Sequence, residues 1–362
     1  MQYTRSACLV VAALIAACLS AAKPANAGAY NFRTIDVMGA TQTGVSSINA
    51  TGQVTGAYLD TMGRHGFVDT NGSITTFSGP EAHTSLFPVS INASGVVAGV
   101  YADSTGKQHG FIDANGTVSI INVPGANFTD AYGINDAGQV VGDYHDTTGY
   151  HGFVDINGVF NTFFMPGAVD TAPSSINASG QVAGYYSDGT GNHGFVYTNG
   201  AFAAFSVPGA TSTYARSIND LGQVAGNYED IMGSHEFVYT NGIFTTTTIP
   251  GTTFSVAYSI NNAGQVAGQY QDATGNHGFV DTSNTRVTVD APGANNTYIG
   301  SINALGQVVG SYSDTTGNHG FIATPTSAVP EASQTVAFGF SLLGLGGLII
   351  HSRKRRQTAA SV

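Results

Sequence analysis

The chain has 362 residues, of which 48 are Gly, only 9% are charged and none is Trp. Between residues 28 and 329 five basic residues face 21 acidic ones, a net charge of −16. Such a surface repels phosphate backbones and excludes nucleic acid as a partner, whereas divalent cations and neutral polymers suit it.

Residues 1–27, MQYTRSACLVVAALIAACLSAAKPANA, carry a basic Arg5, an apolar run from Cys8 to Ala17 and the small-residue site Ala25-Asn26-Ala27. This layout predicts a secretory signal peptide cut after Ala27. A second cut site precedes Cys18, where Ile15-Ala16-Ala17-Cys18 has the form of a lipidation box. It ranks behind the first, because the other end of the chain offers a different anchor. Both cysteines, Cys8 and Cys18, fall inside the signal, so the exported part is expected to hold neither thiol nor disulfide.

Residues 28–325 are built from copies of one unit. An Ile-Asn pair recurs at Asn49, Asn92, Asn135, Asn177, Asn219, Asn261 and Asn303, in steps of 43, 43, 42, 42, 42 and 42 residues. The consensus is SINxxGQVxGxYxDxxGxHGFVxxNGxFxTxxxPGAxxT. In the copy from Ser217, TYARSIN, QVAGNY, HEFVYT and IFTTTTIP read as strands, with Asn241-Gly242 as a hairpin signal. Nowhere does a persuasive 3.6-residue period appear. Four strands at a 42-residue spacing predict an all-β fold, a seven-bladed β-propeller of four-stranded repeats.

The last copy ends at Pro325 without a fourth strand. Phe32 to Ala40 aligns without gaps on Phe160 to Ala168, which covers a fourth strand. The N-terminal strand is therefore expected to complete the last blade and close the ring. A solenoid would have no reason to split one unit between its ends. The unit also resembles the HAF-type repeats of bacterial extracellular proteins, with His-Gly-Phe in six copies and His235-Glu236-Phe237 in the fifth. That resemblance implies an extracellular place and carries no catalytic residues.

The repeated histidines are His65, His109, His151, His193, His235, His277 and His319. Their aspartates are Asp60, Asp103, Asp146, Asp188, Asp230, Asp272 and Asp314. An Asp-His pair can serve general-base chemistry, but catalysis needs one asymmetric constellation and these pairs occur once per unit. They are expected to be structural, the histidine bonding a loop backbone and Asp and Gly shaping the turn. The glycine-rich loops lack the GK[ST] ending of a phosphate cradle. Calcium would find hard oxygen ligands in the DxxG turns, but one carboxylate per loop is thin, so no cofactor or metal is expected. Tyr58, Tyr101, Tyr144, Tyr186, Tyr228, Tyr270 and Tyr312 alternate in phase with Val and Gly and read as blade-to-blade packing.

Subtracting the consensus leaves Val96, His145, Glu229, Glu236 and Arg216, together with Glu81, His83, Arg64 and Lys107. If the strands alternate up and down, the DxxG turns and PGAxxT loops share one face, which gathers Glu81, His83, Arg64 and Lys107 as the candidate binding site. No paired carboxylates for a glycosidase emerge from the repeat, and the only glutamates between 28 and 329 are Glu81, Glu229 and Glu236.

Residues 326–335 read as a linker holding Val329-Pro330-Glu331. An apolar segment over 336–350 reads as a membrane helix, and the tail 351–362 carries Arg353, Lys354, Arg355 and Arg356, which favour the cytoplasmic side. This tripartite end resembles the PEP-CTERM sorting signal of Gram-negative bacteria, except that Ala332 stands at the motif's second proline. The resemblance implies an exosortase partner, transient residence in the inner membrane, cleavage near the motif, and delivery to the cell surface or exopolysaccharide matrix. The expected function is a non-enzymatic scaffold that binds extracellular polymer or protein. The alternatives are an enzyme acting on polysaccharide and a calcium-dependent adhesin.

Overall fold

The computed structural model describes residues 29–80, 85–247, 249, 251–282 and 285–326. The expected signal peptide, sorting motif, apolar helix and basic tail lie outside them, as do Glu81 and His83.

The described residues form an all-β fold of 28 strands with no helix. In unit one, β1 (Tyr30–Ile35) is followed by β2 (Gln42–Ile48), β3 (Val54–Asp60), β4 (Gly63–Thr70) and β5 (Ser73–Phe77). Strands β2 to β5 pair as an antiparallel meander, and this four-stranded pattern recurs along the chain. Single parallel pairings link some neighbouring units, such as Gln42 with Asn318 and Arg64 with Ser85. β1 pairs antiparallel with Asn318–Pro325, the last strand of the chain, from Tyr30↔Pro325 to Ile35↔Gly320.

The local chemistry explains the meander. Between the third and fourth strands of the first five units sits an Asn-Gly pair with both residues at positive φ, as at Asn157 (54°) and Gly158 (84°). That is the turn whose twist matches paired strands. Between the second and third strands the Asp closes the turn, as where Asp146 Oδ1 accepts the Thr148 amide at 2.7 Å. A bulge interrupts the pairing of the first and second strands in every unit, skipping Ser46, Val89, Tyr132, Ser174, Arg216, Tyr258 and Gly300.

The core lies between sheets rather than within one. Phe67, Phe111, Phe153, Phe195, Phe237, Phe279 and Phe321, the Phe of each repeat, are all 0–1% exposed. A typical cluster joins Val141, Phe163 and Met165 of the third unit to Ile176, Val182 and Phe195 of the fourth. Ile35 of β1 packs with Val309 and Ile322 of the last unit and with Val45 and Val54 of the first.

The repeated asparagines explain the Ile-Asn signature. Asn177 is buried; its Oδ1 accepts the amides of Ser179 and Gln181, and its Nδ2 donates to Gln181 Oε1 and to the carbonyl of Asn219 in the next unit. The same donation runs from Asn49 to Asn92, Asn92 to Asn135, Asn135 to Asn177, Asn219 to Asn261 and Asn261 to Asn303. Asn303 then donates to the carbonyl of Asn49 at 3.1 Å.

Candidate functional site

In every unit the repeated His and Asp meet. The Nε2-to-carboxylate distances are 3.2 Å at His65, His109, His151 and His235, 3.3 Å at His193, 3.1 Å at His277 and 3.4 Å at His319. The second partner differs from the expected loop backbone. Nδ1 meets a side chain at the end of the fourth strand: Ser78 (2.9 Å), Asn122 (2.6 Å), Ser206 (2.8 Å), Asp290 (2.8 Å) or, for His319, Asp36 after β1 (3.0 Å). Backbone was the wrong partner because the strand amides beside the ring are committed to the sheet ladder, while the side chain 13 residues on lies within reach. In these five units the histidine thus ties its DxxG turn to the end of that strand.

The aspartates are consumed by the same turns. Hydrogen bonds from Thr148 hold the Asp146 carboxyl down at about 2, and Thr190 and Thr316 do the same in direction for Asp188 and Asp314. Among the described residues no group of three or more His, Cys, Asp or Glu gathers in the manner of a metal site. The tyrosines lie over their own histidines, with ring centroids 5.2 Å apart for Tyr58 and His65, as well as against the core clusters.

Of the four residues expected to converge, Arg64 lies over the Phe87 ring at 5.1 Å and Lys107 sits in an exposed turn whose amide binds Asp103. No hydrogen bond or ion pair joins them among the described residues. The DxxG turns and PGAxxT loops do adjoin: a Cβ on Gly191 would lie 2.3 Å from the Thr211 carbonyl. Glu236 is committed to an ion pair with Arg286, which also binds Asp281.

Of the residues that the copies do not share, Arg216 lies elsewhere. A cavity of about 360 Å³ is lined by the first strands of all seven units, at the bulge. The bulge sets one residue per unit out of the ladder at the wall of this space, with a side chain in six units and Gly300 in the last. The repeated serines beside it brace neighbouring strands, as where the Ile218 amide donates to Ser175 Oγ at 3.4 Å. The bulge residues themselves differ, and Tyr132, Arg216 and Tyr258 are the large polar ones.

Among the described residues Arg216 is the one basic side chain lining the cavity. Its Nε donates to Asn227 Oδ1 at 2.7 Å, and its guanidinium carbon lies 5.7 Å from the Tyr214 ring centre and 5.8 Å from that of Tyr258. Among the described residues no carboxylate lies within ion-pair distance of it. Tyr214 is in turn held by Asn192 at 3.0 Å and set edge-on to Tyr185 at 5.1 Å.

On the other side Tyr132 donates to Asp130 Oδ2 at 3.3 Å. Asp130 and Asp143 are direct cross-strand partners, and both are buried. Burial first, and the neighbouring Asp130 charge second, push the Asp143 carboxyl up to about 8. Two like charges opposed on one face repel, so the pair retains a proton at neutral pH. The pair does not stand out in the sequence, since its members are neither glutamates nor departures from the repeat in a loop. The available signal was the variable position inside GQVxGxY, where Asp143 and Asn227 stand, together with the residue before SIN.

No family model and no curated protein matches the chain. Among solved structures it is similar to virginiamycin B lyase from Staphylococcus aureus, with 14% identity and a TM-score of 0.55, covering 81% of this chain and 99% of that one. It is also similar to the β-propeller domain of the Trilobed protease from Pyrococcus furiosus, with 9% identity and a TM-score of 0.55, covering 80% and 95%. At such identities the likeness speaks for the fold alone, and that fold is the β-propeller.

Proposed function

We propose that the chain is a seven-bladed propeller, its ring closed by β1, that acts outside the cell as a non-enzymatic binding scaffold with its ligand site in the cavity at the bulges. One observation carries the reading. The repeated Asn, Asp and His are used up in turns and inter-unit bonds, while Tyr132, Arg216 and Tyr258, bulge residues the copies do not share, line one cavity. Closure is supported by the pairing of β1 with the last strand and by the return of the asparagine chain from Asn303 to Asn49. Export through residues 1–27 and sorting through Val329-Pro330-Glu331 belong to the same proposal and rest on the sequence.

A glycan and surface-protein array probed with the full-length protein in detergent tests it. Binding that disappears when Ser174→Tyr fills the cavity supports the scaffold. Hits indifferent to that substitution would move the site elsewhere.

The second reading, an enzyme acting on extracellular polysaccharide, is favoured by the protonated Asp130–Asp143 pair beside Tyr132. Mass spectrometry of array hits incubated with the protein separates the two, because only an enzyme leaves shortened chains.

A further inference from the structure

We infer that the cavity takes a carboxylate-bearing sugar, a uronic acid residue, with its carboxylate on the guanidinium of Arg216. The inference deepens the proposed scaffold and rests on its reading of the cavity as a ligand site. Of the described basic residues, Arg33 is paired with Asp69, Arg286 with Glu236 and Asp281, and Arg64 lies on Phe87. Arg216 lines this cavity, in a domain whose residues 28–329 carry a strong acidic excess. Its Nε bond to Asn227 restrains the plane of the fork, and no other hydrogen bond or ion pair of the guanidinium is found among the described residues, so its terminal N–H groups suit a planar two-oxygen acceptor.

The rest of the wall suits a sugar. Ser174, Ser217, Ser259 and Ser301 supply hydroxyls, and Tyr132 and Tyr258 supply apolar ring faces with polar tips. The volume, about 360 Å³, is at the small end of the roughly 300–1,000 Å³ of ligand sites, which fits one or two sugar rings. One guanidinium balances one negative charge. A phosphate dianion would bring a second charge toward Asp130 and Asp143, so a carboxylate is the better match. The proton retained by that pair leaves it with one negative charge instead of two, which weakens its repulsion of a monoanion at neutral pH.

Isothermal titration of the full-length protein in detergent at neutral pH and low salt decides the matter, using methyl glucuronide, methyl glucoside and inorganic phosphate. The expected result is glucuronide binding roughly tenfold to a hundredfold tighter than glucoside, the range for one charge-assisted pair. Arg216→Gln should erase that preference, and Arg216→Lys should keep part of it. Equal binding of glucuronide and glucoside would overturn the carboxylate assignment while leaving the scaffold standing. Tighter binding of phosphate would overturn it likewise, whereas silence from all three probes together with a silent array removes both. The comparison of the three probes needs no variant, so it stands even if Arg216→Gln does not fold.

Discussion

Glycine before the repeat Phe shows how one residue's licence depends on another. A Cβ on Gly194 would lie 2.2 Å from the Phe205 ring, and the same holds for Gly66 under Phe77 and Gly152 under Phe163. In the fifth unit Thr247 takes the place of that Phe, and there Glu236 replaces the glycine. Gly194→Ala is therefore expected to cost about 1–3 kcal/mol from overpacking. In a Phe205→Ala background the penalty should shrink, a coupling that urea denaturation of the four-member cycle would reveal. The asparagine chain makes a second residue-scale prediction. Asn177→Ala takes the acceptor from the amides of Ser179 and Gln181 and leaves the Asn219 carbonyl with the Gly222 amide alone, and about 2–4 kcal/mol should be lost in the same assay. Asn177→Asp should be no better, because a carboxylate would face Gln181 Oε1 and the Asn219 carbonyl where an amide now donates.

At the scale of elements, β1 is the test case, because it lies 283 residues from its histidine partner in sequence and beside it in space. Ile35 is 1% exposed between the first and last units. Ile35→Ala should cost about 2–5 kcal/mol as a core truncation. It should also speed amide exchange along Asn318–Pro325, the strand β1 covers, more than along the third strand of a distant unit such as Gly191–Thr198. The strands and turns were legible because their signals are local: Asn-Gly demands positive φ, and alternation marks the faces. The alignment of Phe32 on Phe160 likewise exposed β1, since a missing strand leaves a copy elsewhere. The site was less legible because it depends on the bulge. A bulge shifts the side-chain alternation by one residue, so Arg216 and Tyr132 read from sequence as ordinary strand positions. The partner of each histidine was hidden for a related reason, since it lies across a hairpin whose register only the turn fixes.

For the whole molecule, two kinds of aspartate set opposite slopes of stability against pH. Asp146 is lowered from 3.8 to about 2, so the unfolded chain binds its proton first as pH falls, and the stability it lends is lost across that window. Asp188 and Asp314 are lowered as well and add to the same acid limb. Asp143 is raised from 3.8 to about 8, so the folded chain keeps a proton that the unfolded chain has released. Its contribution is present below 3.8 and is lost as pH rises through about 8. Stability should therefore climb out of the acid range and then decline toward mild alkali. Asp143→Asn keeps the side chain neutral at every pH, and it should flatten the alkaline decline while leaving the acid limb in place. Melting temperatures of the parent and the variant, taken from acid to mild alkali, measure both limbs. A parent whose melting temperature holds level through pH 8, or a variant that declines as steeply as the parent, would show that Asp143 is ionised in the fold. A second buried negative charge would then lie near Tyr132, and a carboxylate ligand would have to overcome both.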